Sequence, residues 1–115
     1  MNILLKRYRH RSWGIDGELF IQGEKVADTV EHPTACLAPG TYPVTLDRLL
    51  LCRGNGPMQN LHGEICVGRY NCPGSVLRTR ETYQQLYNRI RKSLLRGHDV
   101  HLTVLTDNRP SGKHP

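Results

Sequence analysis

Residues 17–30 read GELFIQGEKVADTV, two apolar-rich runs on either side of Gln22-Gly23-Glu24. A glycine at the apex between two such runs is a hairpin signal, because glycine adopts the positive φ angles that tight turns require. The stretch therefore predicts a pair of antiparallel strands, Gly17–Ile21 and Lys25–Val30.

Short apolar runs on both sides of this hairpin predict further strands. The first strand begins at Ile3 and ends near Tyr8, and His10–Gly14 is expected to form a basic loop before the hairpin. His32–Gly40 contains two prolines and a glycine, which predicts a turn-rich connection. The remaining predicted strands are Thr41–Leu46, placed at a sheet edge because Pro43 cannot donate a ladder hydrogen bond, and Leu49–Cys52, Ile65–Val67 and Val100–Leu105.

A single helix is predicted over Thr79–Arg96. Thr79 is a suitable N-cap, and Gly97 follows the last turn as a stop signal. Basic side chains gather in its C-terminal half, where the helix dipole favours cations. The apolar positions with helical spacing, expected to face the core, are Tyr83, Leu86, Tyr87, Ile90 and Leu94.

Together these elements predict a β-rich α+β domain, with about seven short strands in a curled sheet or open barrel and one helix packed across it. Residues 1–105 are expected to form this single globular domain. Residues 106–115 lack an apolar anchor and are expected to form a flexible tail.

The composition limits the classes of function. Hydrophobic residues make up 37% and charged residues 23%, which is typical of a folded globular protein, and the net charge of +6 favours anionic partners. No stretch approaches the ~20 apolar residues of a membrane span, and the first residues lack a signal-peptide pattern. We therefore expect a cytoplasmic protein without a membrane partner, whose four cysteines are reduced thiols.

The segment that could carry chemistry is LCRGNGPMQNLHGEICVGRYNC, residues 51–72. Its glycines suit a loop whose backbone N–H groups approach a ligand closely. Cys52, His62, Cys66 and Cys72 are ligand types that zinc accepts, but their spacing contains no Cys-x-x-Cys pair. We therefore predict no metal and no cofactor.

Leu61-His62-Gly63-Glu64-Ile65 resembles the Ser-His-Gly-Cys-Ile signature of the L,D-transpeptidases, which place a reactive cysteine at the start of a short strand. From Leu4 to Val104 the order of elements also resembles a small family of uncharacterised function, found in phages, prophages and bacteria. That family looks like a compact relative of the same enzymes and shares a segment similar to residues 39–44. The resemblance implies an L,D-transpeptidase-like fold.

Both positions that the resemblance assigns to catalysis are substituted. Cys52 falls where the family has a histidine, and Glu64 falls where it has the nucleophilic cysteine. Acyl transfer by this route needs a thiolate beside a base. Cys66, with His62 as its base, could replace the lost thiol, but it is displaced by about 7 Å along the strand.

The alternative is that the cleft binds a ligand without catalysing a reaction. Arginine forks hold phosphate bidentately, and a tyrosine can stack on a ring. Such a cleft suits a small anionic, nucleotide-like ligand. The residues predicted to bind it are Arg53, Asn55, His62, Glu64, Arg69, Tyr70, Asn71 and Arg78.

The charge and the two substitutions favour a catalytically degenerate binding protein for a small anion. The resemblance adds the phage link, and it implies a phage-type protein that sequesters a nucleotide signal of host defence in the host cytoplasm. Trp13 in a basic loop could serve an interface between identical subunits, but the sequence does not demonstrate a homo-oligomer. A peptidoglycan-active L,D-transpeptidase or peptidase using Cys66 is the first alternative. Nucleic-acid binding by Lys6–Arg11 and the basic helix is less favoured, because no docking motif accompanies the charge.

Overall fold

A computed structural model describes residues 1–52, 64–69, 71–72, 75–76 and 78–106. The predicted tail therefore lies almost entirely outside the described residues. The elements in chain order are β1 (Asn2–Arg11), β2 (Gly14–Ile21), β3 (Glu24–Glu31), β4 (Gly40–Pro43), β5 (Leu51–Cys52), β6 (Ile65–Gly68), β7 (Asn71–Cys72), β8 (Ser75–Val76), α1 (Thr79–Leu95) and β9 (His101–Thr106).

Seven of the described strands form one curled sheet, a half-barrel, in the order β4-β9-β1-β2-β3-β6-β5. β1 pairs with β9, and β5 with β6, in parallel, whereas the other neighbours are antiparallel. β7 and β8 form a separate two-stranded sheet. The prediction of a β-rich α+β fold with a curled sheet and one helix is thus confirmed for the described part of the chain.

The β2–β3 hairpin closes as the sequence predicts. Gln22 and Gly23 both have positive φ, 54° and 82°, and Ile21 pairs directly with Glu24. Two central residues with positive φ define a type I′ turn, whose twist matches that of the flanking strands.

The loop predicted at His10–Gly14 is shorter than expected and comprises Ser12 and Trp13, because β1 continues to Arg11 and β2 begins at Gly14. The pairing with β2 shifts register between Arg7 and Arg9, which leaves Tyr8 as a bulge. Beyond the bulge, Arg9 lies opposite the fully buried Asp16, with Nη1 3.6 Å from Oδ2. This counter-charge allows a basic segment to remain in the strand.

The strand predicted at Leu49–Cys52 is shorter than expected and spans Leu51–Cys52. Leu50 has a φ of 70°, in the left-handed region that a leucine rarely adopts, so the extended conformation begins only after it. Its carbonyl accepts a 2.9 Å hydrogen bond from the Ile65 N–H. β4 lies at the sheet edge, as predicted, and ends at Pro43.

Helix α1 begins at Thr79, but the prediction that Thr79 caps it is wrong. The N-cap is Arg78, which has a left-handed backbone with φ 53° and makes no side-chain capping hydrogen bond. Instead, the Thr82 hydroxyl donates to the Arg78 carbonyl at 2.8 Å. The first turn is therefore held through a backbone acceptor.

The other end of α1 follows the prediction. Gly97 has a φ of 83°, and its N–H donates to the Leu94 carbonyl at 3.0 Å. The His98 N–H donates to the Ser93 carbonyl at 3.1 Å. These two bonds form a Schellman motif, which satisfies carbonyls that the helix end leaves open.

The main core lies between α1 and one face of the sheet. Leu86 and Ile90 of the helix are buried with Ile65 and Val67 of β6. Tyr83 and Leu94 pack partly buried against the same cluster, in agreement with the predicted apolar stripe. Within the described residues, no helix is long and apolar enough to cross a membrane.

A buried ion pair fixes the connection after β3. Arg7 Nε donates to Glu31 Oε1 at 2.9 Å, and its Nη2 donates to Oε2 at 2.7 Å and to the Leu37 carbonyl at 2.6 Å. Burial opposes the charged guanidinium, but the hydrogen bond and charge of Glu31 outweigh it, so the pKa of Arg7 is raised. This pair ties residues 32–37 to the sheet.

Candidate functional site

The eight residues predicted to bind ligand divide into those that the structure describes and those that it does not. Glu64, Arg69 and Arg78 are described, and Asn71 is described as part of the β7 backbone. The other four predicted binding residues, Arg53, Asn55, His62 and Tyr70, lie outside the described residues.

The structure separates two of the residues predicted to bind the ligand. Glu64 immediately precedes β6, and Arg69 immediately follows it. Five positions of extended chain span about 16 Å. Glu64 and Arg69 therefore lie at opposite ends of the strand and line different clefts, while Arg78 is exposed at the N-cap of α1.

The cleft that contains Glu64 has a volume of about 290 Å³. Its described charged lining consists of Asp47, Arg48 and Glu64, so acidic side chains are in excess. The rest of the described lining is leucine: Leu37, Leu46, Leu49, Leu50 and Leu51. On its described lining, this cleft, hereafter the Glu64 cleft, is a poor site for an anion.

Two adjoining hollows, of about 340 Å³ and 260 Å³, share Lys25, Val26 and Arg69 in their lining. They form because β6 pairs only with Asp28–Val30 of β3, so that Glu24–Ala27 extend beyond it beside α1. We call this combined hollow the Arg69 cleft. Its described lining is Glu24, Lys25, Val26, Ala27, Asp28, Arg69, Gln85, Leu86 and Arg89.

The lysine of the Arg69 cleft already has carboxylate partners. Lys25 Nζ lies 2.8 Å from Asp28 Oδ1 and 3.1 Å from Glu18 Oε2. The hydrogen bond with Asp28 is the largest influence on its pKa, and together with Glu18 it outweighs burial, so the pKa of Lys25 is raised. Lys25 therefore adds little net charge for a ligand.

The two arginines of the cleft differ from Lys25 in this respect. Arg69 and Arg89 are both exposed, and Arg69 Nη2 donates to Gln85 Oε1 at 3.1 Å. Among the described residues, neither guanidinium lies within 4.0 Å of a carboxylate oxygen. Both can therefore donate to an anion that enters the cleft.

Cys66, the alternative nucleophile, is completely buried. It lies on the opposite face of β6 from Ile65 and Val67, beside Val30 and Cys52, and the Cys52 and Cys66 sulfurs are 3.3 Å apart. This complete burial keeps an acyl substrate from reaching the Cys66 sulfur.

No metal-binding group of three or more His, Cys, Asp or Glu side chains occurs in the described part of the chain. The zinc interpretation of the sequence also involved His62 and Cys72. His62 and the Cys72 side chain lie outside the described residues, so the structure joins only Cys52 and Cys66 of that set.

Sequence reasoning missed Lys25, Gln85 and Arg89 as site residues. The sequence pattern places Lys25 in a hairpin strand and Arg89 among the basic side chains that the helix dipole favours. A partial signal was available, since Gln85 and Arg89 are four positions apart and both lie on one side of the inward-facing Leu86, at the margin of the buried helix face. Their approach to Arg69 depends on tertiary packing that the sequence pattern does not specify.

No family model matches the chain, and no curated protein or solved structure matches it. The resemblance of residues 61–65 to the L,D-transpeptidase signature therefore stays a prediction. The chemistry of the described side chains is the basis for assigning a function.

Proposed function

We propose that the protein binds a small anionic, nucleotide-like ligand without turning it over, and that Arg69 and Arg89 hold the anion in the Arg69 cleft. The observation that carries this proposal is that both guanidiniums line one cleft without a carboxylate partner among the described residues. Arginine matches phosphate geometrically because its planar fork donates two parallel hydrogen bonds.

The remainder of the cleft suits such a ligand. Gln85 holds the Arg69 guanidinium at 3.1 Å, which reduces the side-chain freedom lost on binding. Val26 is partly exposed in the cleft and supplies apolar surface on which a base could rest. The larger hollow, about 340 Å³, lies at the lower end of the ~300–1,000 Å³ typical of small-ligand pockets.

The surroundings of the two candidate nucleophiles, Glu64 and Cys66, support binding without catalysis. A carboxylate in place of a thiolate would form a mixed anhydride with an acyl group, and Glu64 lies in the other cleft. Cys66 is completely buried. On the resemblance alone, we propose that the biological role is sequestration of a host-defence nucleotide by a phage-type protein.

Native mass spectrometry and isothermal titration calorimetry with inorganic phosphate and a panel of cyclic and linear nucleotides test the proposal. We expect a stoichiometric complex recovered unmodified. Arg69→Ala and Arg89→Ala should each weaken binding roughly 10- to 100-fold, because each removes a charge-assisted hydrogen bond of about 1.5–3 kcal/mol. Arg91→Ala is the matched control, since Arg91 is equally charged and exposed but lies two positions further along the helix, on a different face.

Two results would contradict the proposal. If Glu64→Ala weakens nucleotide binding and the Arg69 and Arg89 variants do not, the ligand occupies the Glu64 cleft. If muropeptides are cleaved, or an acyl adduct forms on Cys66, the protein is a peptidoglycan-active enzyme. Alkylation of the thiols should abolish that enzyme and leave nucleotide binding intact.

One observation favours nucleic-acid binding as a second candidate. Arg89, Lys92 and Arg96 are exposed and spaced at i, i+3 and i+7, so they form a cationic line along α1 that continues from the Arg69 cleft. A polyanion would contact the whole line, whereas a mononucleotide would contact only its first member. If nucleic acid is the ligand, Lys92→Ala should weaken oligonucleotide binding and reduce its salt dependence. If a mononucleotide is the ligand, the same variant should bind it with unchanged affinity.

A further inference from the structure

Cys52 and Cys66 form a pair of thiols between the last two strands of the sheet. They are direct partners in the parallel register of β5 and β6, and their sulfurs are 3.3 Å apart. Neighbouring strands lie about 4.7–4.9 Å apart, within the ~4.4–6.8 Å between Cα atoms that a disulfide spans. The two cysteines can therefore be bridged without moving either strand.

The surroundings of the two thiols differ in a way that suits stepwise oxidation. Cys66 is completely buried, and Val30 of β3 packs against it. Cys52 is only partly buried, so it is the more accessible cysteine of the pair. The more accessible thiol would react first, and the buried thiol would resolve the product.

We propose that Cys52 and Cys66 are a redox modification site that forms a reversible disulfide when the protein meets a peroxide. The Cys52 thiolate attacks hydrogen peroxide and becomes a sulfenic acid, with release of hydroxide. The Cys66 sulfur then attacks the sulfenic sulfur, its proton leaves with the departing hydroxyl as water, and the S–S bond forms. Two thiols and one peroxide thus give one disulfide and two waters, and an external thiol reverses the change by exchange.

The bridge would fix the edge of the sheet next to the Glu64 cleft. Within the described residues, β5 is the outermost strand of the sheet and spans Leu51 and Cys52. Leu51 and Glu64 line that cleft. Leu51 directly precedes Cys52, and Glu64 lies two positions before Cys66. Oxidation would hold this wall of the cleft in place, and reduction would release it.

The experiment uses the whole protein, treated with hydrogen peroxide and then alkylated under denaturing conditions. We expect the intact mass to fall by about 2 Da before alkylation, two thiols to escape alkylation, and proteolysis to yield one linked peptide pair containing Cys52 and Cys66. The thiols are separated by 14 positions. Closing such a loop should raise the Tm by roughly 10 °C, and dithiothreitol should reverse the rise.

Variants separate this site from general oxidation. Cys52→Ser alters a partly exposed side chain and should fold normally but lose the peroxide-dependent rise in Tm. Cys66→Ala should lose it as well, whereas Cys36→Ser should retain it. Full alkylation of all thiols after peroxide treatment, a linked peptide that joins either cysteine to Cys72, or a Tm rise that persists in Cys52→Ser would each overturn the proposal.

Discussion

Breaking the buried Arg7–Glu31 pair from one side should cost more stability than replacing both residues together. Arg7 is 6% exposed and Glu31 is fully buried, so Glu31→Leu would leave a guanidinium inside the protein without its counter-charge. Removal of one partner of such a pair typically costs about 3–5 kcal/mol. Arg7→Met should be at least as costly, because it strands the Glu31 carboxylate and also removes the donor to the Leu37 carbonyl.

The double variant Arg7→Met/Glu31→Leu leaves no buried charge. Its remaining defect is the Leu37 carbonyl, which loses its Arg7 donor, at a cost of about 1–3 kcal/mol. The double variant should therefore be more stable than either single variant, and the cycle should give a coupling of several kcal/mol.

Urea unfolding followed by far-UV circular dichroism measures all four proteins. Lys25→Met provides an exposed comparison, since its ion pairs should contribute less than about 1 kcal/mol. Single variants that lose less than 1 kcal/mol, or a double variant as unstable as the sum of the singles, would refute the reasoning. In either case the pair would be behaving as a solvated surface contact.

Three further changes give sharp expectations. Gly17→Ala should destabilise the fold by about 1–3 kcal/mol in urea unfolding, because its Cβ would lie 2.7 Å from the Thr29 hydroxyl. Gly97→Ala meets no neighbouring atom within 4 Å, so only the strain of its left-handed φ of 83° should appear, about 1 kcal/mol. Burial, and then the charge of Asp16, raise the pKa of Tyr8 above 10.0, so the folded state keeps this proton to higher pH than the unfolded state. Stability should therefore fall as the pH rises through and beyond 10.0, and comparison with Tyr8→Phe in urea unfolding at alkaline pH isolates this contribution.

Local sequence signals predicted the local structure well. The Gln22-Gly23 turn and the end of helix α1 at Gly97 both require a positive φ, which glycine adopts readily. The glycine in the sequence therefore identifies the turn and the helix end directly. The extent of β1 was not predictable in this way, because Arg9 and Arg11 are tolerated in the strand only through the acidic Asp16 on β2. That partner is fixed by register, which a run of basic residues does not reveal.

The candidate site was harder to predict than the fold. Glu64 and Arg69 are close in sequence, which suggested one cleft, but an extended strand separates its ends by more than any side chain can bridge. The Arg69 cleft instead combines β3 with α1, elements far apart in the sequence. A reading that groups functional residues by sequence proximity misses such a site.

The position of β1 has a consequence for how the chain reaches this structure. β1 lies between β2, which follows it directly, and β9, whose His101 pairs with Asn2. The hairpin with β2 can form early, but the other edge of β1 stays open until a segment about a hundred residues later arrives. Sheets completed by such distant pairing fold slowly, in roughly milliseconds to seconds, and an open apolar edge recruits other chains meanwhile. Refolding yield should therefore fall as protein concentration rises, while the finished fold, with that edge covered by β9, stays monodisperse at the same concentrations.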